Sequence, residues 1–359
     1  MELNFTRRMF FVCLCVGICL PGSMYGQITS LEDAEALDIS VFLKGGEEAA
    51  SELMGLYLNP AFTGMGFGVA NGWYNTAKPH KPLGFDITAT LSLAKTPNSD
   101  LFFSMLQAGD ITSGGIRTQS GNTEEFATVF GDDRTVGLES SLTQNGITVT
   151  SQFNAPPGLN LEDDVNGYVP VPMLQAGIGL IKNTDLKIRW VPTQKSDEDG
   201  YELKMFGLGV MHDFKQWIPG IKHIPIDMSV LVAFNRINAK LDLTNDAVSG
   251  AGQEGEFGIN AWTYQVLVSK KLSILTLYGG FGFNNVSTSL EVKGSYDIQD
   301  DTDSNLVITL VDPVSESFTS SGMRATAGFR LKLAIITLHA DYTLQKYNTI
   351  TAGLGFSFR

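Results

Sequence analysis

The sequence has 359 residues, and its 25 Lys and Arg against 38 Asp and Glu give a formal net charge of −13, which argues against nucleic acid as a partner. Its only cysteines are Cys13, Cys15 and Cys19. Removal of an N-terminal export segment would therefore leave no thiol for a disulfide, a thiolate metal site or a cysteine nucleophile.

The first residues predict an export signal. Arg7 and Arg8 precede an apolar run over residues 9–20, and a proline then breaks the run. The run is shorter than the ~20 apolar residues that a membrane-spanning helix needs, which disfavours a helical anchor. We therefore predict a signal peptide over residues 1–26, cleaved after Gly26.

The next segment, residues 27–80, contains two helical patterns. A capping pattern at Ser30 predicts a first helix, which ends at two glycines. A second helix begins at Glu47 and is predicted to end near Asn59, because a residue that precedes proline disfavours the helical conformation. A glycine-rich stretch of irregular backbone is predicted after it, over residues 59–75.

From Leu83 onward, apolar residues recur at every second position, which predicts strands with one face in an apolar medium. Strands of a soluble sandwich also alternate, but these polar faces carry Arg, Lys, His and Asp, as a wet lumen would. Aromatic residues collect near the strand ends, where interfacial girdles lie, and the last strand alternates up to Phe358. We predict that residues 81–359 form a transmembrane antiparallel β-barrel in an all-β fold.

Short and long connections alternate along the predicted barrel, as expected for periplasmic turns and outer loops. Long links are predicted over residues 193–200, 243–256 and 291–321. Residues 95–170 contain weak strands that belong either to the wall or to an elaborated loop. Because the strands on either side run in opposite directions, an even number lies between them, and the barrel has about 10, about 12 or about 14 strands.

Five segments carry a family resemblance. They are SELMGLYLNP at residues 51–60, NGWYNTAKPH at 71–80, LKIRWVP at 186–192, GVMHD at 209–213 and WIP at 217–219. Together they resemble an uncharacterised outer-membrane family of the Bacteroidetes type. The resemblance covers nearly the whole chain after the signal, and it implies no established activity.

A second resemblance concerns the step from Asn59 to Ala61. It is similar to the hatch of FadL-type long-chain fatty acid transporters, which enters the barrel from the periplasm. The resemblance implies that residues 27–80 form a helical plug whose glycine-rich part fills the lumen, and that a shift of the plug opens a path for a hydrophobic solute. The plug or ligand-contacting residues are then Asn59, Pro60, Phe62, Phe67, Trp73 and Tyr74.

The polar strand faces place charged residues inside the predicted barrel. In a narrow lumen such charges normally pair with one another, so a structural ion-pair network is favoured over a solute pathway. We predict that this network consists of Asp86, Arg189, Asp227, Arg324, Arg330 and Asp341.

No motif in the sequence predicts catalysis or a cofactor. An acyl-transfer site needs a base within reach of a nucleophile, but His80 lies in a predicted periplasmic link and the Gly-x-Ser-x-Gly motif does not occur. The acidic clusters at residues 197–199 and 300–303 lack the spacing of a calcium-binding EF-hand loop, so we interpret them as solvated loop charge. We predict no enzyme activity, no cofactor and no metal site.

These patterns predict an exported protein in the outer membrane of a Gram-negative bacterium, acting as a passive channel or transporter for small hydrophobic molecules. The alternative is a non-transporting barrel whose outer loops bind a partner protein. Membrane lipid and lipopolysaccharide are expected partners in both cases. A lumen continuous from the loops to a lateral or periplasmic opening would favour transport, and a lumen filled by the plug and salt bridges would favour anchoring.

Overall fold

A computed structural model describes residues 39–104, 116–119, 125–161, 166–196, 200–220, 224–243 and 249–358. The predicted signal peptide lies outside these ranges, and of the first predicted helix only a 3-10 helix (Ile39–Gly45) lies within them. Helix α1 (Glu47–Val69) follows. The strands are, in chain order, β1 (Phe85–Lys95), β2 (Phe102–Ser104), β3 (Ile116–Thr118), β4 (Glu125–Ala127), β5 (Gly137–Gln144), β6 (Ile147–Asn154), β7 (Tyr168–Leu180), β8 (Thr184–Ser196), β9 (Tyr201–Asp213), β10 (Asp227–Asp242), β11 (Gly250–Leu272), β12 (Leu275–Gln299), β13 (Val307–Val311), β14 (Val314–Leu333), β15 (Ile336–Leu344) and β16 (Thr349–Phe358).

The main sheet closes into an antiparallel barrel. It has 11 strands in the order β11-β10-β9-β8-β7-β1-β16-β15-β14-β12-β13, and a further pairing of β11 with β12 closes the ring and leaves β13 outside it. The first and last strands are neighbours, with Phe85 opposite Phe358. The predicted antiparallel barrel is therefore confirmed, and it has ten strands, the lowest of the three predicted totals.

The described residues between β1 and β7 form an elaborated loop and contribute no further strand to the ring. Strands β2 and β4 make one small sheet, and β3, β5 and β6 make another. The predicted long links are shorter than expected, because the barrel strands extend into them. Strand β12 pairs with β14 up to Val292, opposite Val314, and continues to Gln299. Backbone pairing satisfies the N–H and C=O groups of these extensions, so alternating apolar sequence is not required there.

The two ends of the barrel differ, and we name them the turn end and the loop end. The turn end carries the short connections at residues 181–183, 273–274 and 334–335, and β1 begins and β16 ends there. The loop end carries β2 to β6 and the connection between β12 and β14. By the usual construction of outer-membrane barrels, the turn end corresponds to the periplasmic side.

Side-chain polarity reverses along the strands between these ends. Near the turn end, outward side chains are apolar and inward ones are largely polar, whereas near the loop end the reverse holds. Strand β10 has outward residues Val230, Val232, Phe234, Arg236, Asn238 and Lys240, and inward residues Ser229, Leu231, Ala233, Asn235, Ile237, Ala239 and Leu241. The outer surface nearer the turn end is thus apolar, and we name it the apolar band. The part of the barrel nearer the loop end has a polar surface and an apolar core, as a soluble domain has. Within the described ranges, no helix combines the length and apolar character that crossing a membrane requires.

Helix α1 lies inside the barrel and runs from the loop end toward the turn end. Near its start, Ser51 Oγ donates a hydrogen bond to Glu316 Oε1 at 3.0 Å, where β14 begins. Beyond the helix the chain continues to the turn end, where Ala77 N donates to Ser269 Oγ at 3.0 Å. This direction is opposite to that implied by a hatch entering from the periplasmic side.

The prediction that the helix ends near Asn59 is wrong, because α1 continues through Pro60 to Val69. A proline inside a helix removes one backbone hydrogen bond and costs about 3 kcal/mol. Burial offsets this cost, since Phe62 and Met65 are almost fully buried and each such side chain contributes about 1.5–3 kcal/mol. The Thr63 hydroxyl also donates to Asn59 Oδ1 at 2.8 Å. Packing therefore overrides the local preference of the residue before proline.

The glycines of α1 make the helix thin enough for this lumen. A Cβ on Gly66 would lie 2.2 Å from Val286 Cγ1, and a Cβ on Gly64 would lie 2.7 Å from Val169 Cγ2. The predicted irregular backbone at these glycines is wrong for the same reason. Their small size permits close approach to the barrel wall, and this advantage exceeds the cost of about 1 kcal/mol per glycine relative to alanine in a helix.

Candidate functional site

The carbonyl groups at the end of α1 are bound by two buried arginines of the barrel wall. An α-helix leaves its last four carbonyls without a helical partner. Arg189 of β8 donates to Val69 O and to Asn71 O, each at 2.6 Å. Arg324 of β14 donates to Ala70 O at 2.9 Å and also to the side-chain oxygen of Asn71. The two arginines thus hold the end of the helix from two parts of the ring.

Two further strands complete this ring of donors. Asn235 Nδ2 of β10 donates to Val69 O at 3.0 Å, and Thr263 Oγ1 of β11 donates to Ala70 O at 3.3 Å. Donors from four strands therefore converge on the end of one helix. We name these four side chains the plug clamp, which consists of Arg189, Asn235, Thr263 and Arg324.

Arg189 and Arg324 are buried, and neither binds a carboxylate of the described residues. The charge distribution along α1 explains how they are stabilised. The carbonyl end of a helix carries about half a negative charge, which favours cations placed there. Neutral groups complete the coordination: Arg189 Nε donates to Gln175 Oε1 at 3.1 Å, and Arg324 Nη1 donates to Asn284 Oδ1 at 3.1 Å. The Trp73 ring centroid lies 3.8 Å from the guanidinium carbon of Arg189, which is cation–π geometry.

The predicted charge network stays a prediction, although its members do not form close ion pairs with one another. Among the described residues, no salt bridge joins the three lumen arginines to Asp86, Asp227 or Asp341. Asp86 Oδ2 accepts from the Thr88 hydroxyl at 2.9 Å, and Asp341 Oδ2 accepts from Tyr278 OH at 2.8 Å. Asp227 is half-buried at the turn end, as the first residue of β10. Arg330 is almost fully buried and lines a small gap together with Asp86.

The predicted plug residues lie along the described part of the plug, from loop end to turn end. Asn59 and Pro60 are in the middle of α1, where Pro60 is buried and Asn59 half-buried. Beyond them, four aromatic side chains contact the wall or the clamp. Phe62 stacks on Phe257 with centroids 3.9 Å apart, Phe67 stacks on Tyr347 at 5.5 Å, Trp73 lies against Arg189, and Tyr74 meets Tyr278 edge-on at 5.7 Å. These residues bind the plug to the wall, and whether any contacts a ligand stays a prediction.

A second attachment lies at the turn end, where the chain leaves the plug and enters β1. Asp185 of β8 accepts hydrogen bonds from the His80 backbone N at 2.8 Å and interacts with His80 Nδ1 at 2.9 Å. His80 Nε2 lies 3.4 Å from Ser357 Oγ of β16. We name His80, Asp185 and Ser357 the inner latch. It fastens the lower end of the plug to two strands of the ring.

The inner latch contains a serine, a histidine and an aspartate, but it is built as an attachment. Ser357 Oγ also accepts a hydrogen bond from Lys332 Nζ at 3.0 Å, and Asp86 Oδ1 lies 3.6 Å from His80 Nε2. A reactive serine needs space beside its oxygen for a substrate carbonyl. The adjoining gap has room for about one water molecule. The geometry gives no positive support for an enzyme.

The loop end carries a separate structure, built largely from the weak strands that the sequence assigned either to the wall or to an elaborated loop. We name β2 to β6 together with β13 the outer-loop module. A polar hollow of about 550 Å³ lies on it, lined by Arg117, Glu139, Ser141, Thr150 and Asp301 among others. Hydroxyl and charged groups line the hollow, so it suits a polar surface or solute better than an apolar one.

Asp300 joins two parts of the outer-loop module. Its Oδ2 accepts from Thr150 N at 2.7 Å and from Thr150 Oγ1 at 2.9 Å, and its Oδ1 accepts from Thr302 N at 2.8 Å and Asp303 N at 2.9 Å. These backbone and hydroxyl donors, Thr150 N first, hold the pKa of the Asp300 carboxyl below its ordinary value. The acidic cluster interpreted as solvated charge thus contains one carboxylate with a specific structural role.

We expect Asp300→Asn to release Thr150 from the turn after β12, because an amide has one acceptor oxygen where the carboxylate has two. Hydrogen exchange should speed up at the backbone amides of Thr150 and Thr302, while Asp303→Asn, which removes no bond to Thr150, should leave Thr150 protected. Because the folded pKa is depressed, the contribution of Asp300 is present above the usual aspartate pKa and is lost as the pH falls below it. Unchanged exchange at Thr150 in Asp300→Asn would contradict this role.

No metal centre is formed by the described part of the chain, where no group of three or more His, Cys, Asp or Glu side chains is placed to hold an ion.

Comparisons with known proteins place the chain next to barrels of diverse activity. A family model described as a family of unknown function (DUF6588) matches residues 6–358. No curated protein matches the sequence.

Among solved structures, Ail, the attachment invasion locus protein of Yersinia pestis, is 10% identical, with a TM-score of 0.26 and coverage of 77% of this chain and 98% of that chain. The outer membrane protease OmpT of Escherichia coli is 8% identical, with a TM-score of 0.29 and coverage of 76% and 97%. The outer membrane channel DcaP of Acinetobacter baumannii is 12% identical, with a TM-score of 0.18 and coverage of 77% and 96%.

At these identities and TM-scores, the three structures bear on neither activity nor partner. The Bacteroidetes type and the similarity to FadL-type transporters stay predictions.

Proposed function

We propose that this chain, which belongs to the family of unknown function DUF6588, is a non-conducting outer-membrane barrel. The barrel displays its outer-loop module to a partner outside the cell. The chain reaches the outer membrane by means of the predicted signal peptide over residues 1–26. The loop end faces outward, and the turn end faces the periplasm. The observation that carries the proposal is the lumen, which α1 fills and the plug clamp closes.

The apolar band supports residence in a membrane. Large apolar side chains such as Phe206, Trp262 and Phe281 project from the wall, with 48%, 41% and 61% of their surfaces exposed. Similar side chains on all ten strands form a continuous ring, which in water would be far larger than the apolar patches of a monomeric soluble protein. A hydrocarbon layer removes this surface from water and leaves the charged residues near the loop end hydrated.

The energetics of the plug favour anchoring over transport. A path through the barrel requires that α1 leave its position, which breaks the hydrogen bonds from Arg189 and Arg324 to the helix end. Hydrogen bonds from a charged donor contribute about 1.5–3 kcal/mol each, so these three bonds alone oppose the movement by about 5 kcal/mol or more. A solute without polar groups brings no acceptor that could replace the helix carbonyls as partners of these arginines. Uptake of hydrophobic molecules is therefore the less favoured function.

A disulfide between plug and wall tests this choice. Gly64→Cys with Val169→Cys places the sulfur atoms in contact, because the glycine Cβ position lies 2.7 Å from a Val169 methyl that the substitution removes. Native cysteines lie in the predicted signal peptide and do not interfere. We expect proteoliposomes with this variant to show no flux of ions, small sugars or fatty acids above the protein-free background, whether the disulfide is reduced or oxidised.

The control is Gly64→Cys alone, which cannot form the bond and should also show no flux. Flux through the reduced double variant that stops on oxidation would contradict the proposal and establish a mobile plug. In that case transport of a solute becomes the function, and the outer-loop module becomes an accessory to it.

A further inference from the structure

Two cations lie on the outer surface of the barrel where the apolar band ends. Arg236 is the next outward residue of β10 after Phe234, and it stands opposite Phe206 of β9. Lys204 is the next outward residue of β9 and stands opposite Asn238. The cations are therefore diagonal neighbours on two paired strands. In a membrane they lie at the height of the lipid headgroups on the side of the loop end.

These cations border a hollow of about 400 Å³ on the outer wall. Gly258 of β11 stands between Asn238 and Ser289 on the neighbouring strands, and its missing side chain forms the floor. Arg236, Lys204 and Asn238 line one side of the hollow, and Ser289 lies across the floor. The hollow thus offers two cations, an amide and a hydroxyl, and its lining also includes Lys240, Glu256 and Glu291. The upper edge of the apolar band lies directly below it.

The carboxylates that line or adjoin the hollow are already bound to other lysines. Lys240 Nζ contacts Glu254 at 2.7 Å and Glu256 at 2.5 Å, and Lys293 Nζ contacts Glu256 at 3.1 Å and Glu291 at 2.9 Å. In this row three carboxylates alternate with two lysines, so each carboxylate has a lysine partner and the row as a whole carries one net negative charge.

Arg236 and Lys204 are not balanced in this way. The nearest carboxylate to Lys204 Nζ is that of Glu202, at 3.9 Å, and the side chain of Lys204 is 52% exposed. Within the described residues, no carboxylate forms a salt bridge with Arg236, whose one side-chain hydrogen bond is with Asn238 Oδ1 at 3.4 Å. Arg236, without a carboxylate partner among the described residues, and Lys204, with one at 3.9 Å, therefore face the hollow. An anionic ligand with apolar chains would satisfy both the hollow and the band.

We propose that Arg236 and Lys204 bind the phosphate group of a lipid in the outer leaflet. The guanidinium of Arg236 offers two parallel N–H donors that match two phosphate oxygens, and Lys204 supplies a second positive charge. Asn238 and Ser289 complete the hydrogen bonding, and Phe206 and Phe234 contact the acyl chains. A phosphate monoester, with nearly two negative charges, fits two cations better than a zwitterionic headgroup does. The inference rests on the proposed function, because the site meets a lipid only when the band is in a membrane.

The test uses the full-length mature protein in nanodiscs of phosphatidylcholine that contain phosphatidic acid. Native mass spectrometry after gentle removal of the disc counts the phosphatidic acid that stays bound. We expect Arg236→Gln with Lys204→Gln to reduce bound phosphatidic acid about tenfold or more, which corresponds to about 1.4 kcal/mol. The matched control is Lys182→Gln in the turn between β7 and β8, which removes a cation at the other end of the band and should leave binding unchanged.

Three outcomes would overturn the proposal. The double variant retains as much phosphatidic acid as the wild type, or Lys182→Gln loses it equally, or millimolar inorganic phosphate removes the lipid completely and identifies a soluble phosphate ligand instead. Heat-modifiable mobility on a gel verifies that each variant is a folded barrel. A wild type that does not partition into membranes at all would instead overturn the proposed function, so the two failures are distinct.

Discussion

Replacing Arg189 with methionine should destabilise the protein by about 3–5 kcal/mol, one of the two largest effects expected of a single substitution in this chain. The side chain is fully buried and donates to Val69 O and Asn71 O at 2.6 Å each. Methionine fills similar volume but leaves Asn71 O and Gln175 Oε1 without their donor, and each unsatisfied buried group costs about 1–3 kcal/mol. Val69 O keeps its hydrogen bond from Asn235. The cation–π contact with Trp73 is lost as well. Urea unfolding in detergent, followed by heat-modifiable mobility, measures the change.

Two further substitutions identify the cause. Arg189→Lys keeps the charge but cannot bridge two carbonyls with one fixed fork, so we expect it to recover less than half of the lost stability. Arg117→Met makes the same chemical change on the exposed surface of the outer-loop module and should cost less than about 0.5 kcal/mol. A wild-type unfolding midpoint for Arg189→Met would disprove that the plug clamp stabilises the lumen.

Gly66→Val should destabilise the protein by about 3 kcal/mol, at the upper end of the range for overpacked cores. The added Cβ alone lies 2.2 Å from Val286 Cγ1, so either the helix or strand β12 has to move. Neither has room, because α1 is held at its end by the plug clamp and β12 is paired on both sides. Failure to reach the compact gel form at temperatures where the wild type folds would show the defect directly.

Compensation distinguishes crowding from a general intolerance of substitution. Val286→Ala removes the methyl groups that the new side chain meets, so Gly66→Val with Val286→Ala should be more stable than the sum of the single changes predicts, by about 1 kcal/mol or more. Gly322→Val in β14 is the matched control, because nothing lies within 4 Å of its added Cβ. Strictly additive effects at residues 66 and 286 would contradict direct contact between them.

The barrel could be predicted because its signal is local. A strand alternates its faces at every residue, so a wall between lipid and lumen imposes a period of two that is visible in a few residues, as along Ile336 to Leu344. The same reasoning misjudged the strand ends. Beyond the apolar band, as at Arg236 in β10, polar residues face outward and apolar residues face inward. The strand continues there, although its sequence pattern resembles that of a loop.

The plug contacts could not be predicted because their partners are remote in sequence. Arg189 bonds to Val69 and Asn71, which lie 120 and 118 residues away, and the Asp185 partner of His80 is 105 residues away. Opposite charges in one lumen suggested arginine–aspartate pairs. The arginines instead bind carbonyls at the end of a helix. The partial negative charge of these carbonyls comes from the backbone conformation and not from the type of any residue.

The sequence by itself determined the class of fold and the absence of a usable thiol after the predicted signal, because each follows from composition or from a short-range period. Only the tertiary structure decided how far α1 extends, which groups the lumen arginines bind and that the lumen is filled. Those outcomes depend on close packing against strands distant in the chain. In this barrel such packing outweighs the local preferences of proline and glycine, since burial contributes more per residue than backbone propensity does.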